Sequence, residues 1–232
     1  MKKTIGILGG MGPLATAELL KAIVLLTDAK NDNEHLRVIA DSNTNIPDRT
    51  AAILHGGMDP RPQMIASAKL LENAGADFLI MPCNTAHYFL QDIASQVAIP
   101  FISMIEETVR EVARLGLKKV GVLSTSGTAQ SGVYSKAFEA CGITPLVPKE
   151  DEQQHIMDVI YKGVKAGNFS LDVCGVRRLI DRLAKDGADA LILGCTELPI
   201  AFEAWKLPGK TLDPARILAM RAIEYAGGVV KE

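Results

Sequence analysis

Gly75-Ala76-Asp77-Phe78-Leu79-Ile80-Met81-Pro82-Cys83-Asn84-Thr85 decides how this chain is read, because the pattern occurs twice. The second copy is Gly187-Ala188-Asp189-Ala190-Leu191-Ile192-Leu193-Gly194-Cys195-Thr196-Glu197. In both, Gly-Ala-Asp launches a short apolar run that carries no charge after its Asp, and a cysteine stands eight residues after the glycine. Such runs read as strands of a parallel sheet covered on both faces. Polar residues follow each cysteine and a helical pattern then resumes, so each thiol is expected at the carboxyl end of a strand and the amino end of a helix. Open α/β sheets bind ligands at that edge, and a helix amino end is expected to draw a thiol pKa down toward neutrality.

A second echo extends the duplication. Lys3-Thr4-Ile5-Gly6-Ile7-Leu8-Gly9-Gly10-Met11-Gly12 parallels Lys119-Val120-Gly121-Val122-Leu123-Ser124-Thr125-Ser126-Gly127: basic residue, apolar strand, small-residue turn, helix. The pattern predicts an α/β fold of two similar domains, each a mainly parallel sheet flanked by helices, related by pseudo-twofold symmetry. Under that symmetry the two cysteines face each other across a cleft between the domains.

Bulk composition narrows the class. The 232 residues are 48% apolar and 22% charged, ordinary values for a soluble globular chain. A net charge of −2 gives no reason to expect nucleic acid or an anionic membrane. Four cysteines with no Cys-x-x-Cys pair fit a reducing cytoplasm better than a disulfide scaffold. Met1-Lys2-Lys3 before an apolar run imitates a signal peptide, but glycines and Pro13 interrupt the run and the same strand-turn pattern recurs internally. No apolar stretch approaches the roughly 20 residues a membrane helix needs.

Along the chain, strands alternate with helices. Residues 42–59 read as a long polar loop at the ligand-binding edge, and loops of that length are usually functional. A helix follows to about Asn73, with Asp59 as its cap. After the Cys83 strand come a helix to about Val97, a strand at 99–103 and a helix to Leu115. The second half repeats the scheme from Lys119 and closes with a strand at 210–212 and a helix at 214–225.

Two thiols presented to one cleft suit one chemical problem. Inverting a carbon centre requires a proton to leave one face and another to arrive at the opposite face. A single base tends to return the proton to its own face, whereas two opposed thiol/thiolate groups exchange roles with the direction of reaction. The Gly-Gly-Met-Gly-Pro turn, Pro82-Cys83-Asn84-Thr85-Ala86-His87 and Gly194-Cys195-Thr196-Glu197-Leu198 together resemble the aspartate/glutamate racemase family over the whole chain. That resemblance implies a cofactor-independent, two-base amino-acid racemase acting on aspartate first and glutamate second, with Cys83 and Cys195 as the acid/base pair. It also implies a C-terminal segment that returns to the first domain, giving a first domain of 1–100 plus 210–232 and a second of 101–209. A homodimer follows from the same analogy.

Residue by residue, Asn84, Thr85 and Thr196 bring donors to helix starts, where they cap the helix or hold an α-carboxylate. Arg49 in the long loop is suited to gripping a second carboxylate bidentately. Asp48 either holds Arg49 or faces the substrate ammonium. Lys165 matches the family's lysine position on the second domain. Thr125 and Thr128 resemble further donors, and Met11 shapes the pocket. Glu197 orients either the ammonium or the neighbouring thiol, or simply favours the helix dipole. His87 reads as a hydrogen-bonded helix residue rather than a tuner of Cys83, and no metal site is expected, although Cys83 and His87 share an i, i+4 spacing. Cys141 and Cys174 are taken as small buried hydrophobes. Rival readings are a maleate cis-trans isomerase of the same fold, a dinucleotide oxidoreductase using Gly10-Met11-Gly12, and a non-catalytic amino-acid-binding module.

Overall fold

The computed structural model describes residues 2–231. The chain divides into two compact units, Met1–Glu107 with Ala215–Glu232, and Thr108–Pro214. Each is built on a four-stranded parallel sheet.

In the first unit β1 (Ile5–Gly9) leads through α1 (Pro13–Leu26) to β2 (Val38–Ser42). After α2 (Arg49–Leu54) and α3 (Arg61–Asn73) comes β3 (Phe78–Ile80). A 3-10 turn, Thr85–Phe89, and the short α4 (Leu90–Ala94) lead to β4 (Phe101–Ile102) and α5 (Met104–Arg114). The strand order is β2-β1-β3-β4. The period-two alternation of a strand divides the side chains between two cores. Ile5, Ile7, Phe78 and Ile80 pack with Leu19 and Ile23 of α1, while Leu8, Leu79 and Met81 pack with Met64, Ala68 and Leu71 of α3. Both faces of the sheet are thus covered, as parallel sheets require.

The second unit repeats the plan. β5 (Lys119–Ser124) is followed by α6 (Ser126–Ser131), α7 (Val133–Glu139) and β6 (Thr144–Leu146). Next come α8 (Glu150–Asp158), a wide π-turn at Val159–Val164, α9 (Cys174–Lys185) and β7 (Ala190–Gly194). The unit ends with α10 (Leu198–Ala204) and β8 (Thr211–Leu212), in strand order β6-β5-β7-β8. The last helix, α11 (Pro214–Tyr225), packs Leu218, Ala222 and Ile223 into the first unit's core.

The duplicated Gly-Ala-Asp has a mechanical explanation. Gly75 and Gly187 sit at φ of 91° and 90°, a region that favours glycine. The aspartate that follows pins the start of the neighbouring strand. Asp77 accepts the Thr4 N–H at 2.6 Å, and Asp189 accepts those of Lys118 and Lys119 at 2.7 and 2.9 Å.

Two expected boundaries move. Phe101–Ile102 pairs with β3, so it belongs to the first sheet and not to a second domain starting at 101. Thr211–Leu212 pairs with β7, so it belongs to the second sheet and not to a returning segment starting at 210. In both cases ladder pairing assigns the short strand. The expected loop at 42–59 also contains α2. Among the described residues no helix is long and apolar enough to cross a membrane.

Candidate active site

In the first unit, Cys83 leaves the sheet just beyond β3 and is buried. Ile7 of β1 pairs with Ile80 of β3, so the Gly10-Met11 turn and Cys83 emerge from neighbouring strands at one edge. The residues after Cys83 start a helical segment as expected, a 3-10 turn at Thr85–Phe89 that runs directly into α4. Asn84 and Thr85, within and beside that turn, are both buried.

His87 lies in the same turn. Its Nε2 accepts the Met104 N–H at 3.0 Å, so the ring proton is on Nδ1, which donates to the Cys83 carbonyl at 2.8 Å. Burial holds the ring pKa down at about 4. His87 is therefore a neutral brace between the Cys83 backbone and α5. With both nitrogens committed to backbone groups, it has none to offer a metal. Among the described residues no group of three His, Cys, Asp or Glu side chains is placed to hold one.

Asp48 caps α2, accepting the Ala51 N–H at 2.7 Å. It does not hold Arg49, whose guanidinium donates to three carbonyls: Pro47 at 2.9 Å, Ile46 at 3.4 Å and Met11 at 3.1 Å. Its buried Nε has no hydrogen-bond partner among the described residues. Carbonyl dipoles orient a guanidinium without cancelling its charge, so Arg49 ties the long loop to the first turn and remains cationic.

In the second unit, Cys195 follows β7 directly and is also buried. Its thiol donates to Glu197 Oε2 at 2.9 Å, and the Thr196 hydroxyl donates to the same oxygen at 3.3 Å. Lys165 Nζ lies 3.6 Å from Glu197 Oε1 and 4.6 Å from the centroid of the Tyr161 ring. Thr125 caps α6, accepting the Thr128 N–H at 3.2 Å, and the two hydroxyls are 3.1 Å apart. Ser124 pairs with Gly194, so Thr125 and Cys195 each lie one residue past a shared rung of the ladder.

The expectation that each thiol pKa is lowered fails at Cys195. Burial and then the Glu197 carboxylate push this thiol well above its usual range, against smaller opposing pulls from the Glu197 backbone N–H and then from Lys165. Desolvation and a near anion outweigh a helix of only seven residues.

The model of the Asp/Glu/hydantoin racemase family matches residues 8–222. The chain belongs to that family. It is 28% identical over 225 residues to a broad-specificity amino-acid racemase of Bacillus subtilis, covering 94% of this chain and 96% of that one. It is 31% identical over 142 residues to a glutamate racemase of Corynebacterium glutamicum, covering 60% of this chain and 50% of that protein. The solved aspartate racemase of Picrophilus torridus superposes with a TM-score of 0.83 at 31% identity, covering 99% of this chain and 96% of that one.

Cys141 and Cys174 are exposed, not the small buried hydrophobes expected from the sequence. Cys141 sits in the turn after α7, and Cys174 opens α9, where hydrogen bonding to Asp172 raises its thiol pKa. The Gly10 turn is tied to the protein's own chain. Its N–H is taken by Thr16 Oγ1 at 2.9 Å, and a Cβ placed on Gly10 would lie 2.3 Å from the Asn43 backbone. Finally, the thiol–carboxylate pair was legible only as one of several options for Glu197, because spacing alone does not show which way a side chain turns.

Proposed function

We propose that this protein interconverts the enantiomers of an acidic amino acid, aspartate first and glutamate second, by two-base catalysis at Cys83 and Cys195 without a cofactor. The observation that carries the reading is the equivalence of the two thiols. Each is buried and free, and each stands just beyond the third strand in chain order of a sheet with the same strand order. Aspartate is placed first because the aspartate racemase likeness extends over nearly the whole chain.

In the direction where Cys195 is the acid, Cys83 takes the α-proton and the electron pair left on the α-carbon spreads into the α-carboxylate. The Cys195 thiol, protonated at rest, delivers its proton to the opposite face. Cys83 then carries the extra proton and Cys195 lacks one. Exchange with solvent restores the resting state: Cys83 releases its extra proton and Cys195 regains one through Glu197, 2.9 Å from the sulfur, which in the reverse direction takes the thiol proton first. Arg49 and Lys165 supply positive charge for the two carboxylates; Asn84, Thr85, Thr125, Thr128 and Thr196 supply donors; Met11 and Asp48 complete the surround. The reading requires the two sulfurs to address opposite faces of one α-carbon.

The test is incubation with L-aspartate in deuterated water, following α-deuterium uptake and the appearance of D-aspartate by chiral chromatography. Both should occur with the native protein, and no D-aspartate should form with Cys83→Ala or Cys195→Ala. Sustained racemisation by either variant would defeat the two-base scheme. Loss of the cis double bond of maleate, without α-proton exchange on aspartate, would favour the isomerase reading instead.

A further inference from the structure

Glu197 and Trp205 bracket α10, and both ends of that helix engage one feature, the π-turn Val159–Val164. The turn ends on a wide bond from the Lys165 N–H to the Ile160 carbonyl at 3.0 Å, which spans five residues instead of four. Beyond it the helix closes at the left-handed Gly167, where the Asn168 N–H donates to the Gly163 carbonyl at 2.9 Å. A π-turn inserts an extra residue and rotates the chain beyond it, and such turns are frequent at functional sites. Here the next residue is Lys165, whose ammonium is delivered to Glu197.

The turn is held by shape. The indole of Trp205 lies against Gly163 so closely that a Cβ there would be 2.9 Å from Cη2, and Leu171 closes the same space. The Phe169 ring backs the indole at 5.5 Å between centroids. Among the described residues the buried indole N–H has no acceptor, so no hydrogen bond to them fixes the ring. Its backbone is fixed instead: Arg177 of α9 donates to the carbonyls of Trp205 and Lys206.

We propose that Trp205, packed on Gly163, is a positioning residue that holds the π-turn open and so aims Lys165 at the Glu197 carboxylate beside Cys195. The inference rests on reading Cys195 as an acid/base group. Trp205 and Gly163 both act through Lys165. When the ammonium is displaced, Glu197 faces the thiol with its charge uncompensated, and the thiolate becomes harder to form.

The test is the pH dependence of iodoacetamide alkylation at Cys195, read by mass spectrometry of its own peptide so that exposed Cys141 and Cys174 do not interfere. No turnover is needed, so absence of aspartate racemisation would refute the proposed function without touching this measurement. Trp205→Leu should move the Cys195 midpoint to higher pH, slowing alkylation at neutral pH by about threefold to tenfold, where tenfold is one pH unit. Lys165→Met should do the same. The double variant should shift no further than Lys165→Met alone, because both changes remove one interaction. Trp205→Phe, the milder change, should shift the midpoint in the same direction by less. Full additivity in the double variant, or a lowered melting temperature with an unmoved midpoint in Trp205→Leu and Trp205→Phe, would overturn the proposal.

Discussion

The thiol of Cys195 donates its hydrogen to Glu197 Oε2 across 2.9 Å, and the same carboxylate stands 3.6 Å from the Lys165 ammonium. A buried thiol facing a carboxylate is held protonated, which suits a proton donor and hinders a base. Glu197 therefore has two opposed effects: it makes the thiolate costly and it is the nearest acceptor for the proton. Glu197→Gln separates them. Removing the charge should lower the Cys195 alkylation midpoint, so labelling at neutral pH becomes faster. Removing the acceptor should slow racemisation by about a hundredfold or more, the usual scale for loss of a general acid/base group. Faster labelling together with undiminished racemisation would show that Glu197 handles no proton.

His87 predicts a pH dependence of stability. Its folded pKa is near 4 because it is buried and neutral, whereas the unfolded side chain titrates near 6.5. Between those values the unfolded chain binds a proton that the folded chain does not, so acid favours unfolding. The brace to the Cys83 carbonyl and the Met104 N–H should contribute fully above pH 6.5 and be lost progressively toward pH 4. The total over that window is about 3 kcal/mol. Urea unfolding at pH 7, 5.5 and 4.5 should show His87→Gln losing less stability on acidification than the native protein, from a lower start at pH 7. Parallel pH curves would assign the acid sensitivity elsewhere.

The repeat was legible because it serves the backbone. Gly75 and Gly187 take the same positive φ, and Asp77 and Asp189 make the same strand-start bonds, so selection of residue type follows directly from geometry. Parallel strands, both sheet cores and the strand-end placement of Cys83 and Cys195 follow from that pattern. What sequence did not disclose depends on side-chain direction or on ladder pairing between distant segments. Asp48 turns back to cap α2 and leaves Arg49 to carbonyls. Two-residue strands such as Phe101–Ile102 declare their sheet only by the partner they find. The π-turn before Lys165 has no periodic signature, since one wide turn closing α8 looks like a continuation of the helix.

Gly10 tests how the first turn is built. Its φ is +89°, and an added Cβ would meet the Asn43 backbone at 2.3 Å, an atom with no rotamer to yield. Gly10→Ala should destabilise the protein by about 2 kcal/mol or more, from left-handed strain plus the displacement of Asn43. The denaturation midpoint should fall by the corresponding amount. Gly75→Ala, where an added Cβ meets nothing within 4 Å, should show the strain alone and fall less. Equal losses at the two positions would mean that the Asn43 contact contributes nothing.

Arg49 links the same turn to the loop that carries Asp48, and Arg49→Lys probes the link without changing charge. One ammonium cannot serve the Met11 carbonyl together with those of Ile46 and Pro47, because it lacks the planar fork that spans them. The variant should lose about 1–3 kcal/mol of stability, the scale for charged hydrogen bonds left unmade. If the guanidinium also meets a substrate carboxylate, KM for aspartate should rise about tenfold while kcat falls less, since an interaction made equally in ground and transition states acts on binding. A loss of stability with unchanged KM would confine Arg49 to bracing the turn. A tenfold KM increase in a variant as stable as the native protein would instead make it a substrate ligand that the fold does not need.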